Sequence, residues 1–106
     1  MDELGESAPL SITVTEGESG PIIKAAGELD GSNIDRLRST INSQLSERPQ
    51  ALSFDLADLT FMDTSAIALL IQTTKSGSAV RILSPSAPVR TIIRMSGLDG
   101  ILVMDP

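Results

Sequence analysis

Phe61-Met62-Asp63-Thr64-Ser65-Ala66-Ile67 is the stretch on which the reading of this chain turns. Phe61 and Met62 close what reads as a strand, an acid and two hydroxyl residues follow, and an apolar run begins that extends from Ala66 to Ile71. That order marks a strand-to-helix junction. The first turn of a helix leaves N–H groups unsatisfied and carries the positive end of the helix dipole. Asp63, Thr64 or Ser65 can therefore cap the helix. A hydroxyl in the same place can also carry a phosphate, whose charge the helix N-terminus accommodates.

Working outward, this helix spans roughly 65–75 and stops at Ser76-Gly77-Ser78. Its spacing places Ile67, Leu70, Ile71 and Thr74 on the buried face, with Ala68, Leu69 and Gln72 nearer the surface. Leu69 then belongs to the rim of the core, or becomes a partner anchor if it is exposed beside Thr64. Upstream, Leu52, Phe54 and Leu56 alternate as a strand. Ile34, Leu37, Ile41 and Leu45 recur at helical spacing over roughly 33–46, with Ser32 as N-cap, Asp35 three residues on, and Arg48-Pro49 closing the helix. Leu10–Thr15 and Pro21–Ala26 read as an antiparallel hairpin with a loose loop at Glu16–Gly20, and residues 1–9 as a flexible tail. Downstream come a strand at Ala79–Leu83, a helix with Val89, Ile92, Ile93 and Ser96 on one side and Gly97 at its end, and a strand at Ile101–Val103. After the hairpin, helices and strands alternate, which implies parallel βαβ units. The expected fold is α/β: a small mixed sheet with three helices packed mostly on one face.

At 106 residues the chain is one domain, and with Phe54 and Phe61 as its only aromatics the core must be aliphatic. The formal net charge is −6 and no basic cluster occurs, so nucleic acid and anionic membranes are poor partners, whereas a basic protein surface fits. With neither Cys nor His, triad catalysis, thiol chemistry and the usual transition-metal ligands are excluded. No phosphate-binding Gly-rich loop and no EF-hand spacing is present, so neither a cofactor nor a metal is expected. The chain reads as a binding protein and not an enzyme. An acidic Met1–Glu6 and the shortness of the Ala66–Ile71 run argue against a signal peptide or a membrane span, and point to a cytoplasmic protein.

Three segments together carry a resemblance: Gly27-Glu28-Leu29-Asp30, Asp58-Leu59-Thr60-Phe61-Met62-Asp63-Thr64-Ser65, and Met95-Ser96-Gly97-Leu98. In order and spacing, from about Leu10 to Val103, the chain resembles the STAS domain of bacterial anti-sigma factor antagonists, which assigns residues 10–106 to that domain. The resemblance implies a partner, an anti-sigma factor with serine/threonine kinase activity. It binds the unphosphorylated antagonist, so that the sigma factor is released. It also implies that the kinase phosphorylates the hydroxyl directly after the acid, which is Thr64 here with Ser65 as second choice, and that a phosphatase reverses the switch. Asp30, brought near the acceptor loop, joins Asp63, Ser65 and Leu69 as partner-binding residues. The metal of such a kinase comes with its ATP. Two departures stand out: Thr in place of the commoner Ser, and Ala66 and Ala68 where the family often has Gly. Asp63-Thr64 and Ala68-Leu69-Leu70 are shared with a second branch, the STAS subunit of lipid-transport ABC systems. A ligand-binding STAS domain is a third reading.

Overall fold

The computed structural model describes residues 9–105, and most of the tail expected over 1–9 lies outside them. The elements run β1 (Ser11–Gly17), β2 (Gly20–Leu29), α1 (Ile34–Leu45), β3 (Ala51–Asp55), β4 (Leu59–Met62), α2 (Thr64–Thr74), β5 (Ala79–Leu83), α3 (Ala87–Met95) and β6 (Val103–Asp105). The sheet order is β1-β2-β3-β5-β6, antiparallel between β1 and β2 and parallel elsewhere, with β4 pairing to β2.

The hairpin turn is tighter than expected. Gly17 pairs with Gly20, leaving a two-residue loop at Glu18-Ser19. Beyond it, β2 is long enough to serve two partners. Ile22–Lys24 pair with β3; after an irregularity between Gly27 and Glu28, the strand pairs with β4 instead. Gly27 permits the change of partner: its φ is +103°, and a Cβ there would lie 2.3 Å from the Pro9 carbonyl oxygen. The strand thus continues through Leu29, three residues past the Ala26 at which the sequence pattern ends it. The strand that Phe61 and Met62 close is β4; its start is not marked in the sequence, because four residues with only Leu59 and Met62 buried give no alternation to read.

Alternation along the central strands sorts the two faces. Ile23, Phe54 and Ile82 align across β2, β3 and β5 and are fully buried, as are Ala25 and Leu52 beside them. The alternate row Ile22, Ser53, Arg81 and Val103 lies on the opposite face, where Arg81 pairs with Asp105 at 2.7 Å and Lys24 with Asp58 at 3.1 Å. The helices therefore cover one face. They bury Ile34, Leu37 and Ile41 from α1, Ala66, Leu69, Leu70 and Thr73 from α2, and Val89 and Ile93 from α3. Each fully buried Leu or Ile contributes about 1.5–3 kcal/mol relative to exposure.

Four local expectations need correction. Ser32 is not the N-cap of α1: Asn33 holds that place, its side chain accepts from the Asp30 N–H, and Asp35 makes no capping box. Along α2 the buried face is rotated, so Leu69 and Thr73 go inward while Ile67, Ile71 and Thr74 are only half-buried. Ser96 is exposed past the end of α3, followed by Gly97 at φ +77°. The last strand begins at Val103, because Leu98–Gly100 form a 3-10 turn that leaves Ile101 exposed.

Candidate functional site

Parallel pairing of β2 with β4 brings their C-terminal ends together. Leu29 aligns with Met62, and the Asp63 N–H donates to the Leu29 carbonyl at 3.2 Å. Asp30 and Asp63, far apart in sequence, thus leave the sheet at the same edge. Asp63 turns the chain into α2 with extended backbone at φ −102° and ψ −173°. Its Oδ1 accepts from the Ser65 N–H at 3.0 Å, the Ala66 N–H at 3.2 Å and the Ser65 hydroxyl at 2.6 Å. Its Oδ2 accepts from the Gly31 N–H at 3.0 Å. One carboxylate therefore caps α2 and ties it to the β2–α1 loop.

That loop is ordered from within. Asp30 Oδ1 accepts from both the N–H and the hydroxyl of Ser32, at 2.9 and 2.5 Å, and the Asn33 amide donates to the Glu28 carbonyl at 2.9 Å. The structure brings Asp30, Asp63, Thr64 and Ser65 to one edge and places Leu69 elsewhere. Leu69 is only 4% exposed and packs in the core, so its expected role as a partner anchor is withdrawn. The exposed apolar side chain at this edge is instead Phe61, an aromatic to which the sequence pattern assigns no role. It is 44% exposed on β4, opposite Glu28, because Leu59 and Met62 take both inward places. Its signal was an aromatic within three residues of Thr64, in a strand whose core positions were already filled.

The two hydroxyls now differ. The Ser65 hydroxyl is committed to Asp63, whereas Thr64 is the first residue of α2, exposed, and its hydroxyl bonds to no described residue. Capping belongs to Asp63, so Thr64→Ala should change unfolding free energy by less than about 0.5 kcal/mol. Urea denaturation checks this; a loss of several kcal/mol would make Thr64 a structural residue.

Asp63 is held below its ordinary value of 3.8, first by the Ser65 hydroxyl; desolvation, next in size, opposes this, and the N–H groups of Ala66, Gly31 and Ser65 together keep the carboxyl low. A lowered folded-state value means the ionised carboxylate stabilises the fold above the ordinary carboxylate range. That stabilisation is lost as pH falls through the lowered value. The stability difference between wild type and Asp63→Asn should be constant above about pH 5 and shrink below about pH 4. Denaturant titrations across that range measure it, and a pH-independent difference would refute it.

A model of the STAS domain matches residues 11–106. The chain belongs to the STAS domain family. It is 30% identical over 98 residues to RsfB, an anti-sigma-F factor antagonist of Mycobacterium tuberculosis, covering 88% of this chain and 80% of RsfB. This STAS domain thus falls among the anti-sigma factor antagonists. Its fold is similar to that of an anti-sigma factor antagonist from Mycobacterium paratuberculosis, at TM-score 0.84, 22% identity and coverage of 95% and 91% of the two chains. It is also similar to unphosphorylated SpoIIAA at TM-score 0.75, 20% identity and coverage of 91% and 89%. SpoIIAA of Bacillus in its phosphorylated form matches at TM-score 0.68, 20% identity and coverage of 91% and 92%. Among the described residues no helix is long and apolar enough to cross a membrane, and no group of three or more acidic side chains is arranged to hold a metal ion.

Proposed function

We propose that this STAS domain is a phosphorylation-controlled anti-sigma factor antagonist. Unphosphorylated, it binds an anti-sigma factor that is a serine/threonine kinase, and so frees the sigma factor. Phosphate on Thr64 ends the binding, and a phosphatase restores it. The domain is a substrate of the kinase and not a catalyst, and it acts in the cytoplasm on a protein partner, without nucleic acid.

The observation that carries this reading is the state of Thr64. It is an exposed hydroxyl on the first residue of a helix whose cap is supplied by its neighbour. Phosphate adds about −1.5 to −2 charges, and here it needs to displace no hydrogen bond of its own hydroxyl. Asp30 and Asp63 leave the sheet at the same edge as Thr64 and give it acidic character suited to a basic partner surface, and exposed Phe61 offers an aromatic anchor. The kinship with RsfB supports the partner class, and a fold shared with a protein solved in both phosphorylation states supports a switch that leaves the scaffold intact.

Incubation with the cognate anti-sigma kinase and ATP, followed by peptide mass spectrometry, should place the phosphate on Thr64, and Thr64→Ala should abolish labelling. Phosphate confined to Ser65, or undiminished labelling of Thr64→Ala, would overturn the assignment.

A further inference from the structure

β1 ends the sheet on one side, with β2 as its neighbour and no described element beyond it. The hairpin fixes which of its backbone groups face outward. A two-residue loop makes Gly17 and Gly20 the hydrogen-bonded closing pair, so Thr15, Thr13 and Ser11 also direct their N–H and C=O groups to β2. Ile12, Val14 and Glu16 direct theirs away from it. The alternation along β2 agrees: the Gly27 N–H and the Leu29 carbonyl point to the far side, where they bond Asp58 and Asp63. Opposite Glu16 stands Pro21, which has no N–H to give.

One carbonyl at the start of this edge is already taken, that of Leu10, which accepts from Arg36 Nη1 at 2.8 Å. The outward groups of Ile12, Val14 and Glu16 bond to no described residue. Proteins usually blunt such edges with Lys, Pro, a bulge or brevity. β6, at the other end of the sheet, is three residues long. β1 instead runs seven residues in unbroken register, with β-branched Ile12, Thr13, Val14 and Thr15 at its centre and a single charge, Glu16.

This edge is complementary to itself. Two β1 strands laid antiparallel about Val14 set Ser11 against Gly17, Ile12 against Glu16, Thr13 against Thr15, and Val14 against its own copy. That register engages every unpaired group of the edge and leaves the Leu10 carbonyl with Arg36. Moving the axis to Thr13 would instead require that carbonyl. Val14, 38% exposed although it aligns with buried Ile23, gains a second Val beside it. Glu16 faces Ile12 and not another Glu16, so no like charges are opposed across the pair. We infer that β1 is a homodimer edge, where two copies of this chain join antiparallel along Ser11–Gly17 and continue one sheet through both molecules. The inference rests on the β1 edge and not on the function proposed for Thr64, so either can fail alone.

The experiment follows the full chain by sedimentation and amide hydrogen exchange from about 10 μM to about 1 mM, the range suited to a small interface. A monomer–dimer equilibrium is expected, tightening with salt because each copy carries a net charge of −6. The N–H groups of Ile12, Val14 and Glu16 should gain protection with concentration, while those of Thr13 and Thr15, bonded to β2, should not change. Val14→Lys, which opposes two cations on the axis, should weaken the dimer roughly tenfold or more and leave the monomer spectrum intact. The chain has no cysteine, so Val14→Cys should cross-link two copies on mild oxidation, since facing Cα atoms of a hydrogen-bonded pair stand about 5.5 Å apart. Ile12→Cys, displaced from the axis, should not. A monomer at every concentration, or equal cross-linking by both cysteine variants, would overturn the proposal. Protection of the edge that persists on dilution would assign it to residues 1–8 of the same chain, and protection gained only with an anti-sigma factor would assign it to that partner; either result overturns the homodimer.

Discussion

Phosphate on Thr64 should, on the function proposed above, weaken binding to an anti-sigma kinase roughly a hundredfold or more relative to the unmodified form, since like charges forced together at an interface cost several kcal/mol. The cause is local. The new charge joins the Asp63 carboxylate and that of Asp30 across the Asp63–Gly31 hydrogen bond, and all must be desolvated on docking. Thr64→Glu adds a single charge on a shorter reach, so a loss of roughly tenfold is expected. Thr64→Ala should bind as wild type does and escape the switch. The far-ultraviolet spectra of all four forms should coincide, because the hydroxyl holds nothing in the fold. Calorimetry on the four proteins is the test. Equal affinities would move the interface away from α2 and favour the transport-subunit reading.

Asp63→Ala is expected to have the largest effect on stability of any change at this edge, about 2 kcal/mol. About half comes from the lost N-cap and half from the lost bond to the Gly31 N–H. In a domain of this size that lowers the melting temperature by roughly 10 °C. Partner binding should fall as well, because the β2–α1 loop and the start of α2 would lose the bond that sets their spacing. A melting temperature within about 2 °C of wild type would show that the carboxylate is not the tie described here.

The sequence made the hairpin, the three helices and the parallel order legible because Ile34, Leu37 and Ile41 repeat at helical spacing and Leu52 and Phe54 alternate. It hid the β2–β4 pairing, because the apolar pattern of the hairpin stops at Ala26 whereas the positive φ of Gly27 lets one strand run on and change partners. The site was visible in its residue types, through an acid and two hydroxyls before an apolar run. Their division of labour was not visible. Only geometry shows that Asp63 takes both the cap and the Ser65 hydroxyl, leaving Thr64 free of both duties. Leu69 was misplaced because the unbroken apolar run Ala66–Ile71 offers several plausible buried faces, and burial of Ala66 and Thr73 chose among them.

The Gly31–Asp63 bond joins residues 32 apart in the chain and exists only once β2 and β4 have paired. Contacts so distant in sequence form after loop closure has been completed, late in assembly. If the proposed phosphorylation of Thr64 holds, the edge is therefore a certificate of folding. A nascent or damaged chain would carry the residues Asp63-Thr64-Ser65 without displaying them as a kinase substrate. Transcriptional output would then register only those antagonist molecules whose sheet is complete.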